Sequence, residues 1–188
     1  MYTRLIQTIA ILLISSAVFA EGPFDSIVSA IRIAAEQGDP DAQYILGMSY
    51  YYGEDVVQDK QVGIYWLQKS AEQNHALAQF NLAHFYFRDH SKVDKSEALD
   101  LLKKAAEQNL PEAQYYLYTI YSNDYYFITT KNIPEAITWL RKSAENGYVE
   151  AQLKLASHYY KGIGVSKNET EGRRWYSKAL NSYSKYTE

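Results

Sequence analysis

The residues of this chain that could do chemistry are its histidines and one Ser-x-x-Lys sequence. Histidines bind metals or act as general bases, and a Ser-x-x-Lys pair is the nucleophile pattern of penicillin-binding enzymes. The four histidines have no metal-ligand spacing and we expect them on the surface or in a groove; they are His75, His84, His90 and His158. Ser182 and Lys185 lie in a segment that we expect to be a frayed tail, which is a poor setting for a nucleophile.

Other catalytic signatures do not occur in the sequence. The chain has no cysteine, and it contains no Gly-x-Ser-x-Gly, phosphate-loop or calcium-loop motif. Its many carboxylates fall at expected helix caps and on solvated faces. We therefore predict no catalytic residue, no metal ion and no cofactor, and a protein that is not an enzyme.

The composition points toward contact surfaces. Tyrosine accounts for 19 of 188 residues, whereas ordinary proteins carry roughly one tyrosine in thirty residues. With 19 basic and 22 acidic residues the net charge is −3, which does not suggest nucleic acid or anionic lipid as a partner.

The elements that must position these rings are helices in a fourfold repeat of about 36 residues. An alanine–glutamine pair, a leucine four residues after the alanine and a tyrosine eight residues after it recur in register, so these side chains share one helix face. The anchors are Ala42, Leu46 and Tyr50; Ala78, Leu82 and Tyr86; Ala113, Leu117 and Tyr121; and Ala151, Leu155 and Tyr159. All four tyrosines are predicted to be core residues.

Cap residues predict where the second helix of each hairpin begins and ends. Asp59, Asp94, Asn132 and Asn168 are N-cap candidates, and a Glu three residues after each of the last three resembles a capping box. Gly38, Asn74, Asn109 and Gly147 are expected in the left-handed C′ conformation. Between them, small residues at 63, 98, 136 and 172 allow close helix approach, and Trp66, Leu101, Trp139 and Trp175 are predicted as the large core residues.

The first twenty residues have the layout of a secretory signal peptide. Arg4 precedes an apolar run that is shorter than a membrane span, and small residues end at Ala20. We expect cleavage near Ala20–Glu21 and a periplasmic or secreted location. The predicted organisation is a signal peptide (1–20), an N-terminal capping helix (21–39), four repeats (40–75, 76–110, 111–148 and 149–181) and a frayed tail (182–188).

These motifs resemble the Sel-one-like repeat family, a relative of the tetratricopeptide repeat. The first repeat carries Ala42, Leu46, Gly47, Tyr50, Gly53, Trp66, Lys69 and Ala71 of the family pattern. The fourth carries Ala151, Leu155, Tyr159, Gly162, Gly164, Val165, Trp175 and Lys178. The resemblance implies an all-α, right-handed superhelical solenoid whose first helices build a concave face, and a role in assembling or regulating other proteins.

Analogy with the tetratricopeptide repeat gives the positions of a partner-binding concave face. They are Tyr44, Met48, Tyr51 and Tyr52; Phe80, His84, Phe87 and Arg88; Tyr115, Thr119, Ser122 and Asn123; and Leu153, Ser157, Tyr160 and Lys161. Alternatively, a tightly curled stack would bury some of these rings against each other. A connection that departs from the family pattern contains Tyr125, Tyr126, Phe127 and Ile128, which either tuck under a neighbouring hairpin or form an exposed contact patch.

Three functions remain open at this point. Small exported members of the family resemble immunity proteins that neutralise toxins delivered by type VI secretion, especially lipases, which implies a single protein partner held in the groove. An envelope scaffold that binds a sensor, a polysaccharide-export component or a peptidoglycan-remodelling enzyme would instead have several partners. A hydrolase or β-lactam-binding enzyme is the third alternative.

Overall fold

The computed structural model describes residues 23–88, 95–123 and 131–184, and every regular element in these ranges is an α-helix. The helices are α1 (Pro23–Glu36), α2 (Pro40–Tyr52), α3 (Lys60–Glu72), α4 (Ala76–Arg88), α5 (Lys95–Glu107), α6 (Pro111–Ser122), α7 (Ile133–Glu145), α8 (Val149–Lys161) and α9 (Glu169–Ser184). They form two compact units, one ending at Gln73 and one beginning at Asn74. In the described ranges, no helix has both the length and the apolar character needed to cross a membrane. The predicted signal peptide, Asp94, His90, Ile128 and the loop residues Tyr125, Tyr126 and Phe127 lie outside the described residues.

The helix starts follow the cap chemistry of the sequence. The Asp39 carboxylate accepts the backbone N–H of Ala42 over 2.9 Å, with Pro40 in the first turn of α2. Asp59 caps α3 by accepting two backbone N–H groups, and Asn132 and Asn168 cap α7 and α9 by accepting one each. These predicted caps are confirmed.

The backbone N–H of each described N-cap residue of the second helices has a different partner from that of a capping box. In three hairpins it donates over 2.9 Å to the carbonyl oxygen of the anchor tyrosine of the preceding helix. The pairs are Asp59–Tyr50, Asn132–Tyr121 and Asn168–Tyr159. Glu135 accepts instead from the Asn132 side chain at 3.1 Å. In a capping box this backbone N–H group would bond the glutamate. Here it bonds the preceding helix and so joins the two helices of the hairpin.

The predicted left-handed helix ends are also confirmed. Gly38, Asn74, Asn109 and Gly147 all have positive φ, between 65° and 97°. Asparagine and glycine tolerate this conformation best, so the chain can reverse sharply after each second helix. The last helix departs from expectation, since α9 continues to Ser184 and the Ser182 hydroxyl donates to Gln152 over 3.5 Å. The start of the expected frayed tail is therefore helical as far as Ser184.

The core is built from the repeat anchors, with one exception. The anchor alanines and leucines are buried, as are Tyr86, Tyr121 and Tyr159. Tyr50 is only half-buried, and its hydroxyl accepts a hydrogen bond from the Arg32 guanidinium over 3.1 Å. The prediction that all four tyrosines are core residues is wrong for Tyr50, since α1 offers it a polar partner at the surface.

The large core residues of the second helices lie one position later than predicted. Leu67, Leu102 and Leu140 are fully buried, whereas Trp66, Leu101 and Trp139 are only half-buried. The buried leucines come four residues after the small residues at the helix contact, so they share its face, whereas the preceding position is rotated away from it. Trp175 is buried as predicted.

The glutamines that follow the anchor alanines are buried and hydrogen-bonded, a role that their sequence pattern was not used to predict. We call these four residues the glutamine ladder. Gln43, Gln79, Gln114 and Gln152 are at most 3% exposed. The Gln114 amide nitrogen donates to the carbonyl oxygen of Ala106 over 2.9 Å, and its oxygen accepts from Asn146 over 2.9 Å. Because buried amides need partners, each of these glutamines ties its helix to a neighbouring element. A glutamine at the same position of all four repeats was the feature of the sequence that could have predicted this role.

Candidate functional site

The first unit presents its predicted partner-binding residues on α2. Tyr44, Met48 and Tyr51 are half-buried, and Tyr52 is 49% exposed. The Tyr51 and Tyr52 rings meet edge to face at 5.2 Å, and the Lys60 ammonium lies 5.5 Å from the centre of the Tyr51 ring. Ring contacts of this kind hold the tyrosine side chains in place at the end of the helix. Their exposed surface is therefore suited to contact with another molecule.

The second unit carries a cluster of rings between α4 and α6. Phe80 stacks on His84 at 6.4 Å, and both rings meet Tyr116 edge to face at 6.3 and 5.8 Å. Phe80, His84 and Tyr116 are all half-buried, so each keeps part of its ring at the surface. Tyr116 was not among the predicted site residues.

Phe87 does not belong to the accessible surface. It is 7% exposed, and its ring lies 5.7 Å from that of Tyr116. Position 87 comes one helical turn after the fully buried Ala83, so it shares the inward face of α4. Phe87, which was predicted to bind a partner, is therefore buried, whereas Arg88, the next residue, is exposed.

The environment of His84 favours a neutral ring. Burial lowers the pKa of His84 below 6.5, and the positive charge of Arg88 lowers it further. His84 is therefore an uncharged aromatic surface at neutral pH.

A second ring cluster joins α6 to the start of α8. Tyr115 lies 5.3 Å from Tyr148 and 5.6 Å from Tyr118. Tyr115 was predicted as a site residue, whereas Tyr148 was not, because it precedes α8 and lies outside the helical periodicity. Tyr115 and Tyr148 are half-buried, whereas Tyr118 is buried.

His158 lies below this cluster and is 7% exposed. Its Nδ1 lies 2.7 Å from the carbonyl oxygen of Ile163, and its Nε2 lies 2.9 Å from the Tyr118 hydroxyl. A carbonyl oxygen only accepts, so Nδ1 donates to it, and Nε2 shares a hydrogen bond with the tyrosine hydroxyl. The expectation that His158 is a surface or groove residue is wrong, because this pair of bonds satisfies it in the interior.

Carboxylates act on the two tyrosines at the surface of this cluster. Burial raises the pKa of Tyr115, and the negative charge of Glu150 raises it further. The pKa of Tyr148 is raised by burial, then by Glu150 and Glu112. Both hydroxyls therefore remain protonated donors at neutral pH, within a negative local potential.

The remaining predicted residues contribute polar and apolar edges. Thr119 and Ser122 donate to carbonyl oxygens of their own helix, at 2.7 and 3.3 Å. On α8, Leu153 is 41% exposed and Tyr160 is 37% exposed. Ser157 is half-buried, and Lys161 and Asn123 are exposed. The accessible part of the α6 and α8 faces is thus mixed, with aromatic and aliphatic side chains beside polar ones.

His75, the remaining histidine among the described residues, has a structural role. His75 Nδ1 accepts the backbone N–H of Ala78 over 3.1 Å, so it caps the start of α4. The described ranges contain no group of three or more His, Cys, Asp or Glu side chains arranged to hold a metal ion.

Comparison with known proteins gives the family. The model of the Sel1 repeat matches four consecutive segments, at residues 40–75, 76–110, 111–148 and 149–182. The chain belongs to the Sel1 repeat family. Sel1 repeats mediate protein–protein interactions, and this all-α repeat solenoid is a module of that kind.

Solved structures of other Sel1 repeat proteins resemble the chain over most of its length. A protective antigen of uropathogenic Escherichia coli that displays an SLR fold is 30% identical with a TM-score of 0.75, covering 82% of this chain and 33% of that one. A Sel1 repeat protein from Oxalobacter formigenes is 28% identical with a TM-score of 0.76, covering 86% and 46%. The chain thus spans between a third and a half of the length of these two relatives.

An immunity protein from Pseudomonas aeruginosa shares the fold at greater distance. It is 19% identical with a TM-score of 0.51, and the alignment covers 86% of this chain and 75% of that one. At this identity the likeness extends to the fold alone.

Proposed function

We propose that this Sel1 repeat protein is an exported inhibitor, an immunity protein that binds a secreted toxin effector such as a type VI lipase. In this proposal the protein reaches the periplasm after cleavage near Ala20–Glu21 and acts there without catalysis. The side chains that the first helices expose contact one element of the toxin. Inhibition is steric, because the bound protein blocks the access of substrate to the toxin.

The observation that carries this proposal is that the first helices of each unit carry accessible apolar and aromatic side chains. Tyr52 in the first unit and Leu153 in the second are each more than two-fifths exposed. The half-buried rings of Phe80, Tyr115 and Tyr116 are held by ring contacts. Aromatic residues that are both accessible and held in place are the usual energetic centre of a protein interface.

The distant immunity protein of Pseudomonas aeruginosa supports the choice of partner. It has the same fold, and the alignment covers three quarters of its length, so a solenoid of similar size serves an immunity protein there. We extend that role to this chain as part of the proposal.

Paired substitutions test the binding surface. Tyr52→Ala removes a 49% exposed ring from the first helix of its hairpin, and Tyr65→Ala removes an equally exposed ring from the second helix. Leu153→Ala has a similar control in Leu180→Ala, since both leucines are exposed in the second unit. Each first-helix variant should weaken toxin binding by about 2 kcal/mol, which is roughly 30-fold in Kd, and the controls should bind as the wild type does.

The result that would overturn the proposal is equal binding by all four variants, or loss of binding by the second-helix controls alone. Recovery of several envelope proteins and no toxin in capture experiments would favour an envelope scaffold instead.

A further inference from the structure

A cleft in the second unit joins the beginning of α6 to the beginning of α8 and the end of α9. It encloses about 410 Å³, and its walls include Glu112, Tyr148, Glu150, Leu153 and Tyr183. This volume is at the lower end of the range for ligand pockets, so it suits one long side chain rather than a helix. Leu153 is also one of the predicted partner-binding residues, and Tyr148 packs against another, Tyr115.

The cleft contains two carboxylates without a basic partner. Within the described residues, the Oε2 atom of Glu112 is buried and accepts no hydrogen bond, and neither Glu112 nor Glu150 forms a salt bridge. Lys154 lies one helical turn after Glu150, but it does not line the cleft. A buried carboxylate oxygen with no donor is costly, and a bound donor would relieve that cost.

The helix ends reduce this negative charge but do not cancel it. Glu112 and Glu150 lie in the first turns of α6 and α8, where each helix N-terminus carries about half a positive charge. Two carboxylates therefore leave roughly one net negative charge in the cleft. Burial is the main reason that the pKa values of Tyr115 and Tyr148 are raised, and the negative charge of Glu150 raises both further.

We propose that this cleft binds an arginine side chain of the partner protein, a step that rests on the proposed function. Its carboxylates accept hydrogen bonds from the guanidinium, and the rings of Tyr148 and Tyr183 cover its flat face. Arginine fits better than lysine because its planar group can bond two oxygens at once and stack on aromatic rings. A carboxylate or phosphate would be repelled by Glu112 and Glu150.

Short peptides of defined chemistry test the cleft without the partner. Acetyl-Gly-Arg-Gly-amide is titrated into the mature, ¹⁵N-labelled protein, with the matching citrulline peptide as an uncharged control of nearly the same shape. We expect the arginine peptide to shift the backbone amide signals of Tyr148, Glu150 and Leu153 with a millimolar Kd. The lysine peptide should bind at least threefold more weakly and the citrulline peptide at least fivefold more weakly.

Charge-neutral variants assign the binding to the two carboxylates. Glu112→Gln and Glu150→Gln should each weaken the arginine peptide at least threefold, and thermal melting checks that both variants fold. Glu97→Gln removes the same charge from an exposed position of the second unit outside the cleft, and should leave the Kd unchanged. Since Glu150 is itself exposed, its variant serves as the test even if Glu112→Gln proves unstable.

The proposal is overturned if no shifts appear at 20-fold the expected Kd, if citrulline binds as well as arginine, or if both cleft variants bind normally. Toxin binding separates this inference from the function beneath it. A toxin that is lost with Tyr52→Ala but retained at full affinity by Glu150→Gln would leave the function standing and remove the cleft. Arginine-specific binding in a protein that captures no toxin would support the cleft and contradict the proposed function.

Discussion

Replacing Gln114 with alanine tests whether the buried glutamines hold neighbouring helices together. Gln114 is 1% exposed and makes two hydrogen bonds, to the carbonyl oxygen of Ala106 and from the amide of Asn146, both at 2.9 Å. Each such bond contributes about 1 kcal/mol net. The Ala106 carbonyl oxygen keeps the backbone N–H of Asn109 at 3.1 Å, and the exposed Asn146 amide can turn to water, so neither group is left without a partner. We therefore expect Gln114→Ala to destabilise the fold by about 2 kcal/mol.

Urea denaturation followed by circular dichroism at 222 nm measures this change. A loss of about 2 kcal/mol should also lower Tm by roughly 4–8 °C for a chain of this size. Gln61→Ala is the control, because Gln61 is an exposed glutamine in a helix and should change stability by no more than about 0.5 kcal/mol. If the two variants are equally stable, the glutamine ladder is not a structural device and the reasoning fails.

Three further predictions follow from contacts and charges. Gly63→Ala should cost about 1–3 kcal/mol in urea denaturation, because the added carbon would lie 2.7 Å from a backbone nitrogen of the facing helix; an unchanged midpoint contradicts this packing. Phe87→Ala should lower the free energy of unfolding by about 3–5 kcal/mol, because it removes a buried ring. Tyr52→Ala, at an exposed ring, should lower it by less than about 1 kcal/mol; the reverse order would contradict the burial of Phe87. Because folding lowers the pKa of His84, the unfolded chain takes up this proton first, so stability falls as the pH drops through 6.5. In an NMR titration Arg88→Ala should raise the pKa of His84, and titration at or above 6.5 in the wild type would contradict its burial.

The hairpins could be predicted because local chemistry and the repeat agree. Asp39, Asp59 and Asn132 cap helices where their side chains suggest, and Gly147 has the left-handed conformation expected after α7. Each of these features depends on neighbours within a few residues, so a single sequence is sufficient to place them.

The site was only partly predictable because accessibility depends on tertiary neighbours. Phe87 and Tyr51 occupy equivalent places, nine residues after the anchor alanines of two first helices, yet Phe87 is buried and Tyr51 is only half-buried. Tyr148 precedes its helix, so helical periodicity gave no reason to choose it, although its ring contacts Tyr115. His158 likewise depends on Tyr118, which lies 40 residues away in the chain. Such pairings follow from packing rather than from spacing.

The most direct test of the account is affinity capture by tagged mature protein from the periplasm and culture fluid of its own host, followed by mass spectrometry. We expect one stoichiometric secreted toxin, which Tyr65→Ala retains as the wild type does and Tyr52→Ala retains in much smaller amount. A set of envelope proteins without a toxin, or a toxin captured equally by both variants, would contradict it.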